Sequence, residues 1–298
     1  MPIYSKIMAH VGRLLFETND ALRLRRLQYD CSGVTFLSDV PYLPDSSRAH
    51  LLDIIRPDNA SADLPVIVNI HGGGLFASYK EVNTPFNCEW ARRGYNVVSI
   101  SYRRLPDTTL VHQVEDVMAA LRFVSSHAEQ YGLNLSRCYL IGDSAGALLS
   151  LFALSIESSV RLQQAFNIPP CGISFRAAAM ISIMLDTVRT IPLSFLGSVV
   201  SNADDRGKSY LPYILHPASL LSEAQLPAIY MVTSTEDIIR RDTHKLAQLL
   251  GEKGVEHYLS DYPKQAGRKL MHVFSVQYPL WPESQEVYAG IDGFLRAH

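Results

Sequence analysis

The sequence predicts an α/β protein built on a mostly parallel sheet covered by helices on both faces. Three observations carry that reading. Short β-branched runs alternate with helical stripes along the chain. The runs at 64–70 and 95–102 are apolar almost throughout, and glycine-rich turns follow directly on strand ends. Alternating strands and helices favour a parallel sheet with helical layers, and continuous hydrophobicity is what a strand buried on both faces needs.

Taken in order, the first 30 residues read as helix, with Val11, Leu14, Leu15, Thr18 and Leu22 on one face and Arg13 and Arg23 off it. Arg23, Arg25 and Arg26 form a basic cluster that reads as a solvated face. Strands are expected at 33–37 and 50–55, joined by the Pro/Asp/Ser turn of 41–47. The two apolar strands come next, with a helix between them. Val114, Val117, Met118, Leu121 and Val124 then carry a helical stripe that ends near Gly132. A strand at 137–141 runs into Gly142; further strands are expected at 177–185, 227–233 and 255–258, and a closing helix at 284–295. Residues 186–226 hold several prolines and no strong period. They are far longer than the roughly 2–6 residues usual for such a connection, so they read as an inserted element.

Composition narrows the function classes. The 298 residues are 47% hydrophobic and 19% charged, with a net charge of −2, which supports a large core and excludes general disorder. A near-neutral balance argues against nucleic acid as partner. No stretch approaches the roughly 20 apolar residues of a membrane span, and the N-terminus lacks a secretory pattern, so a cytoplasmic protein is expected. Cys31, Cys88, Cys138 and Cys171 are widely spaced, suggesting reduced thiols rather than a zinc site or a disulfide framework. Met180, Met184 and Met271 read as packing residues.

Two motifs carry chemistry. Gly142-Asp143-Ser144-Ala145-Gly146 fits G-x-S-x-G between a strand and an apolar helix from 145 to about 156. In that setting the serine sits at the apex of a sharp turn with its hydroxyl projecting from the sheet edge, and the helix N-terminus points its N–H groups at the same spot. Chance alone would produce G-x-S-x-G in roughly one such chain in ten, so the context is what gives the motif weight. The second motif, His71-Gly72-Gly73-Gly74, follows directly on a strand. It leaves backbone N–H groups uncovered, and with the N–H of Ala145 they would stabilise the oxyanion of acyl transfer. A phosphate loop would want G-x-G-x-x-G or a Lys-Ser/Thr pair, and neither is present. Asp143, adjacent to the serine, reads as a hydrogen-bonding residue that holds the turn.

The two motifs together resemble the hormone-sensitive-lipase-like group of α/β-hydrolases, mostly microbial carboxylesterases. Tyr102-Arg103-Arg104-Leu105-Pro106 is similar to that family's Tyr-Arg-Leu-Ala-Pro stretch with slightly altered spacing, and Gln113-Val114-Glu115-Asp116-Val117 is also similar. The resemblance covers about residues 50–298. It implies an α/β-hydrolase fold in one domain, with a small helical cap from about 1–45 and 186–226. It also implies Gly73 and Gly74 as oxyanion donors, short- to medium-chain acyl esters of two to eight carbons as substrates, and a homodimer as the assembly family members often form. No metal or organic cofactor is called for.

A serine nucleophile needs a base oriented by a carboxylate, and in this fold the order is serine, acid, histidine. His216 falls in the insert, His244 in a helix, His257 in a strand and His298 at the terminus, which leaves His272 in a loop after the last strand. For the acid, Glu236, Asp237 and Asp242 all follow the strand at 227–233. Asp237, before Ile238-Ile239, matches the family's acid followed by an apolar pair. The expected reaction is carboxylic ester hydrolysis through an acyl-enzyme on Ser144, with His272 as base and Asp237 as its support. Two rivals stand beside it: an amidase or peptidase with the same triad, and a non-catalytic receptor of the same fold, which the presence of His272 disfavours.

Overall fold

Eight strands form one sheet in the order β1-β2-β4-β3-β5-β6-β7-β8, in a computed structural model that describes residues 3–58, 63–190 and 208–298. They are β1 (Val34–Pro41), β2 (Leu51–Pro57), β3 (Pro65–Ile70), β4 (Asn96–Ile100), β5 (Asn134–Asp143), β6 (Phe175–Ile181), β7 (Ala228–Ser234) and β8 (His257–Tyr262). β1 and β2, and β2 and β4, pair antiparallel, and every pair from β4 onward is parallel. This is the α/β-hydrolase arrangement that the motifs implied.

The continuous hydrophobicity of the central strands has the expected cause. In β3, Val66, Val68 and Ile70 enter one core cluster and Ile67 the other; in β5, Leu140 faces the first and Tyr139 and Ile141 the second. Helices α3 (Leu110–Ser126) and α4 (Ala145–Ser158) supply residues to the first cluster. Helix α2 (Thr84–Arg92) and the C-terminal helix Pro282–Ala297 supply the second. Both faces of the sheet are therefore dry, as a parallel sheet requires.

The N-terminal helix α1 (Ile3–Leu27) corrects one expectation. Its apolar stripe faces outward: Val11, Leu14, Leu15 and Leu22 are 45, 65, 67 and 45% exposed. The charged residues set apart from that stripe face inward. Arg13 is buried, donating from Nε to the Phe76 carbonyl at 2.8 Å and from Nη1 to Asp107 at 2.8 Å. Glu17 accepts from the Ser78 amide at 3.1 Å and pairs with Arg104; Asp20 accepts from the Ser78 hydroxyl at 2.9 Å. Polar groups displayed by neighbouring loops decide which face docks, and helical periodicity does not record them. Arg25 and Arg26 are exposed as expected, whereas the Arg23 side chain is only 10% exposed.

Of the two segments expected to cap the molecule, 3–27 stands over the loops at 73–79, while 34–41 is an edge strand of the sheet. Residues 191–207 of the second segment lie outside the described residues, and its remainder includes the short helix Leu211–Leu215. Among the described residues, no single helix is long and apolar enough to cross a membrane.

Candidate active site

Strand register gathers the motifs at one sheet end. Ile70 pairs with Gly142, so the 71–74 turn and the 142–146 turn leave adjacent strands side by side. Asp143 pairs with Ile181, and Ile181 with Val232, which sets the start of the 235–239 loop at the same end. This carboxyl end of parallel strands is where open α/β sheets hold their ligands.

Ser144 stands at φ 52° and ψ −115°, a conformation that costs an L-residue energy and persists only when its surroundings fix it. Its amide donates to the Ile181 carbonyl at 2.8 Å, and its carbonyl accepts from the Leu148 and Met184 amides, each at 3.2 Å. The turn also needs its glycine at 146: a Cβ there would lie 2.0 Å from the Ile70 carbonyl oxygen. A side chain at that point would force α4 off β3.

His272 Nε2 lies 2.9 Å from Ser144 Oγ, and His272 Nδ1 lies 2.9 Å from Asp237 Oδ1. The next residue, Val273, is held at φ 51°, a left-handed conformation rare for a β-branched side chain, at the start of the short helix Phe274–Gln277. Asp237 is buried. Burial works to raise its pKa, but the hydrogen bond and charge of His272, with bonds from Ser182 and the Ile239 amide, hold it below the ordinary carboxylate value. It is the ionised partner that an imidazolium would need.

The three acid candidates do three different things. Asp237 reaches the imidazole. Glu236 accepts from the Leu270 amide at 2.9 Å, fixing the loop that carries His272. Asp242 accepts from the Asp186 amide at 2.8 Å and pairs with Arg189. Two of the other histidines are engaged elsewhere: His244 lies 2.8 Å from Asp261, and His257 lies 2.8 Å from the Val255 carbonyl.

The glycine turn is set from below by Asp143, whose Oδ1 accepts from the Gly72 amide at 3.1 Å and from Asn83 Nδ2 at 2.7 Å. Asn83 in turn reaches Asn69 Oδ1 at 3.1 Å. Gly73 and Gly74 follow at φ 118° and 61°. Among the described residues, no acceptor takes the N–H of Gly73, Gly74 or Ala145, whereas that of Gly72 is committed. The turn is braced further by Tyr102, whose hydroxyl donates to the His71 carbonyl at 2.7 Å, and by Gln113, whose Nε2 donates to the Leu75 carbonyl at 2.7 Å. Arg103 and Asp116, also from the two family-like stretches, pair at 2.6 Å.

Motif reading alone missed Asn83, Asn69 and the inward residues of α1. Asn83 carried no signal, because it belongs to no motif and reaches the site only through folding. Glu17 and Asp20, with Arg13, share one helical face by spacing, a signal that the apolar pattern obscured. Met271 also departs from expectation. It is 51% exposed and borders a groove instead of packing in the core, unlike the buried Met180 and Met184.

The chain is similar to several known proteins. The family model BD-FAE matches residues 52–183. Carboxylesterase NlhH of Mycobacterium tuberculosis is 28% identical over 80% of this chain and 73% of its own length. A probable isoprenylcysteine alpha-carbonyl methylesterase, ICMEL1, of Arabidopsis thaliana is 32% identical over 96 residues, and the match spans only 20% of that plant protein. Among solved structures, phosphonate-inhibited esterase B of Lactobacillus rhamnosis superposes with a TM-score of 0.90 at 25% identity, covering 99% of this chain and 95% of that one. The Pyrobaculum calidifontis esterase shares the fold at a TM-score of 0.72 and 19% identity, covering 100% and 98% of the two chains. In its fold and its paired motifs, and by these likenesses, the chain is an α/β-hydrolase similar to the hormone-sensitive-lipase-like esterases.

Proposed function

We propose that the protein is a serine carboxylesterase that hydrolyses short- to medium-chain acyl esters through an acyl-enzyme. The observation that carries this reading is the unbroken chain of contacts from Ser144 Oγ to His272 to Asp237, each link 2.9 Å long, at a strained strand-to-helix turn.

In this reading, neutral His272 donates its Nδ1 proton to Asp237 and takes the Ser144 proton at Nε2 as Oγ attacks the ester carbonyl. The tetrahedral oxyanion is held by the N–H groups of Gly73, Gly74 and Ala145, whose freedom from other acceptors supports that role. The imidazolium returns its proton to the leaving alcohol, and water then repeats the sequence on the acyl-enzyme. No step calls on a metal or an organic cofactor.

A series of p-nitrophenyl esters of increasing acyl length, run on the wild type and on Ser144→Ala, tests this reading. Turnover should be greatest between two and eight carbons, and the substitution should lower kcat at least about a thousandfold. A variant that kept most of its activity would refute the assignment of Ser144. Faster turnover of a matched anilide than of the ester would favour an amidase instead.

A further inference from the structure

A groove of about 560 Å³ opens between α1 and the 271–278 segment, bordered by Met271, the residue before His272. Its walls include Leu22, Leu27, Met271 and Tyr278, with Arg23 and Arg26 among them. Tyr278 stacks on Trp281, ring centroids 4.2 Å apart. The volume lies in the range of small-molecule sites. Arg23 and Gln277 also border a second, smaller cavity of about 40 Å³, shared with Gly72, Gly73, Asp143 and Val273. Arg23 and Gln277 thus stand between the groove and the glycine turn.

Chemistry assigns the groove to one half of the substrate. His272 must hand its proton to the leaving oxygen, so the alcohol half lies on the imidazole side of Ser144, and Met271, the residue before His272, borders the groove. The cations assign its character. Arg26 is exposed and pairs with no carboxylate among the described residues. Arg23 is held by the Gln277 carbonyl at 3.0 Å and more loosely by Asp20 at 3.5 Å, and its buried Nε–H has no acceptor among the described residues. Guanidinium donors beside apolar walls suit an anionic oxygen group on a hydrophobic body.

We infer that the groove between α1 and residues 271–278 is a leaving-group subsite selective for esters whose alcohol half carries a carboxylate or phosphate. This inference rests on the serine-esterase reading above.

The test compares 3-(butyryloxy)benzoate with its neutral methyl ester, taking the ratio of their kcat/KM values in wild type, Arg26→Glu and Arg26→Lys. The ratio cancels any general loss of activity in a variant. It should fall about tenfold in R26E, through KM, and stay near the wild-type value in R26K, as a charge contact predicts. It should also shrink in the wild type as salt rises. Monophenyl succinate against phenyl butyrate places the anion on the acyl side instead, and that ratio should barely move. An unchanged ratio in R26E, an equal loss in R26K, or an equal effect on the acyl-side anion would overturn the assignment. Those outcomes leave the esterase reading standing, whereas absence of any turnover of the neutral esters would overturn both.

Discussion

Beside Ser144, Asp143 is a carboxylate kept almost out of water beneath the glycine turn. Burial pushes its pKa up to about 6, against the lowering effect of Asn83, the Gly72 amide and His272. His71, stacked on Tyr102 with centroids 4.4 Å apart, is pushed by burial the other way for a base, down to about 4. Their effects on stability have opposite signs. The cost of burying ionised Asp143 is full above pH 6 and disappears as pH falls below the unfolded carboxylate range. The benefit of neutral His71 is full above the unfolded imidazole range and is lost as pH falls through 4. Each amounts to at most on the order of 3 kcal/mol, and over the same window they largely offset. Asp143→Asn keeps an oxygen for Gly72 and Asn83 without the charge. It should therefore be more stable than wild type by about 1 kcal/mol or more at pH 7, with the advantage gone near pH 4. Urea unfolding at both pH values checks this, and a difference independent of pH would show that the ionised carboxylate is not what costs stability.

At the scale of the element, α1 shows how little an apolar stripe says about orientation when the neighbours are polar. The helix is fastened by Arg13, Glu17 and Asp20 to carbonyl, amide, hydroxyl and charged groups of 76–78 and 104–107. Those loops adjoin the glycine turn, so this docking also helps to shape the rim of the site. Two substitutions one residue apart should then behave in opposite ways. Leu14→Gln, on the exposed face, should change stability by no more than about 0.5 kcal/mol. Arg13→Met, which strands the Phe76 and Leu105 carbonyls, should cost about 1–3 kcal/mol, discounted for the half-exposed Asp107 partner. Chemical denaturation of both variants decides it: a larger loss at Leu14 than at Arg13 would mean that α1 docks through its apolar face.

On the scale of the molecule, the N-terminal arm is tied down at a second place, against α2. Cys31, just before β1, brings its sulfur to 2.9 Å from that of Cys88 in α2, and both thiols are free. Burial, together with the neighbouring Cys31, holds the Cys88 thiol well above its ordinary range, so spontaneous oxidation should be slow. A mild oxidant at alkaline pH should nevertheless join the pair, with the loss of two hydrogens by intact mass. Closing a loop of 57 residues should then stabilise the fold by up to about 4 kcal/mol. A mass unchanged after oxidation would contradict this geometry. The sequence could not announce that contact, because 57 positions separate the two residues and neither spacing nor composition relates them. The same division runs through the whole protein. Local order wrote down what short-range physics decides: apolar runs long enough for buried strands, glycines where backbones touch at 142–146, and a serine and a histidine on turns after strands. Asp237 was legible only because its neighbours Ile238 and Ile239 matched a known pattern. What folding alone decided are the meetings across distance: Asp143 under Gly72 with Asn83, the inward face of α1, and the groove beside Met271. Those depend on which polar groups and surfaces the rest of the chain presents, and no window of neighbouring residues contains that information.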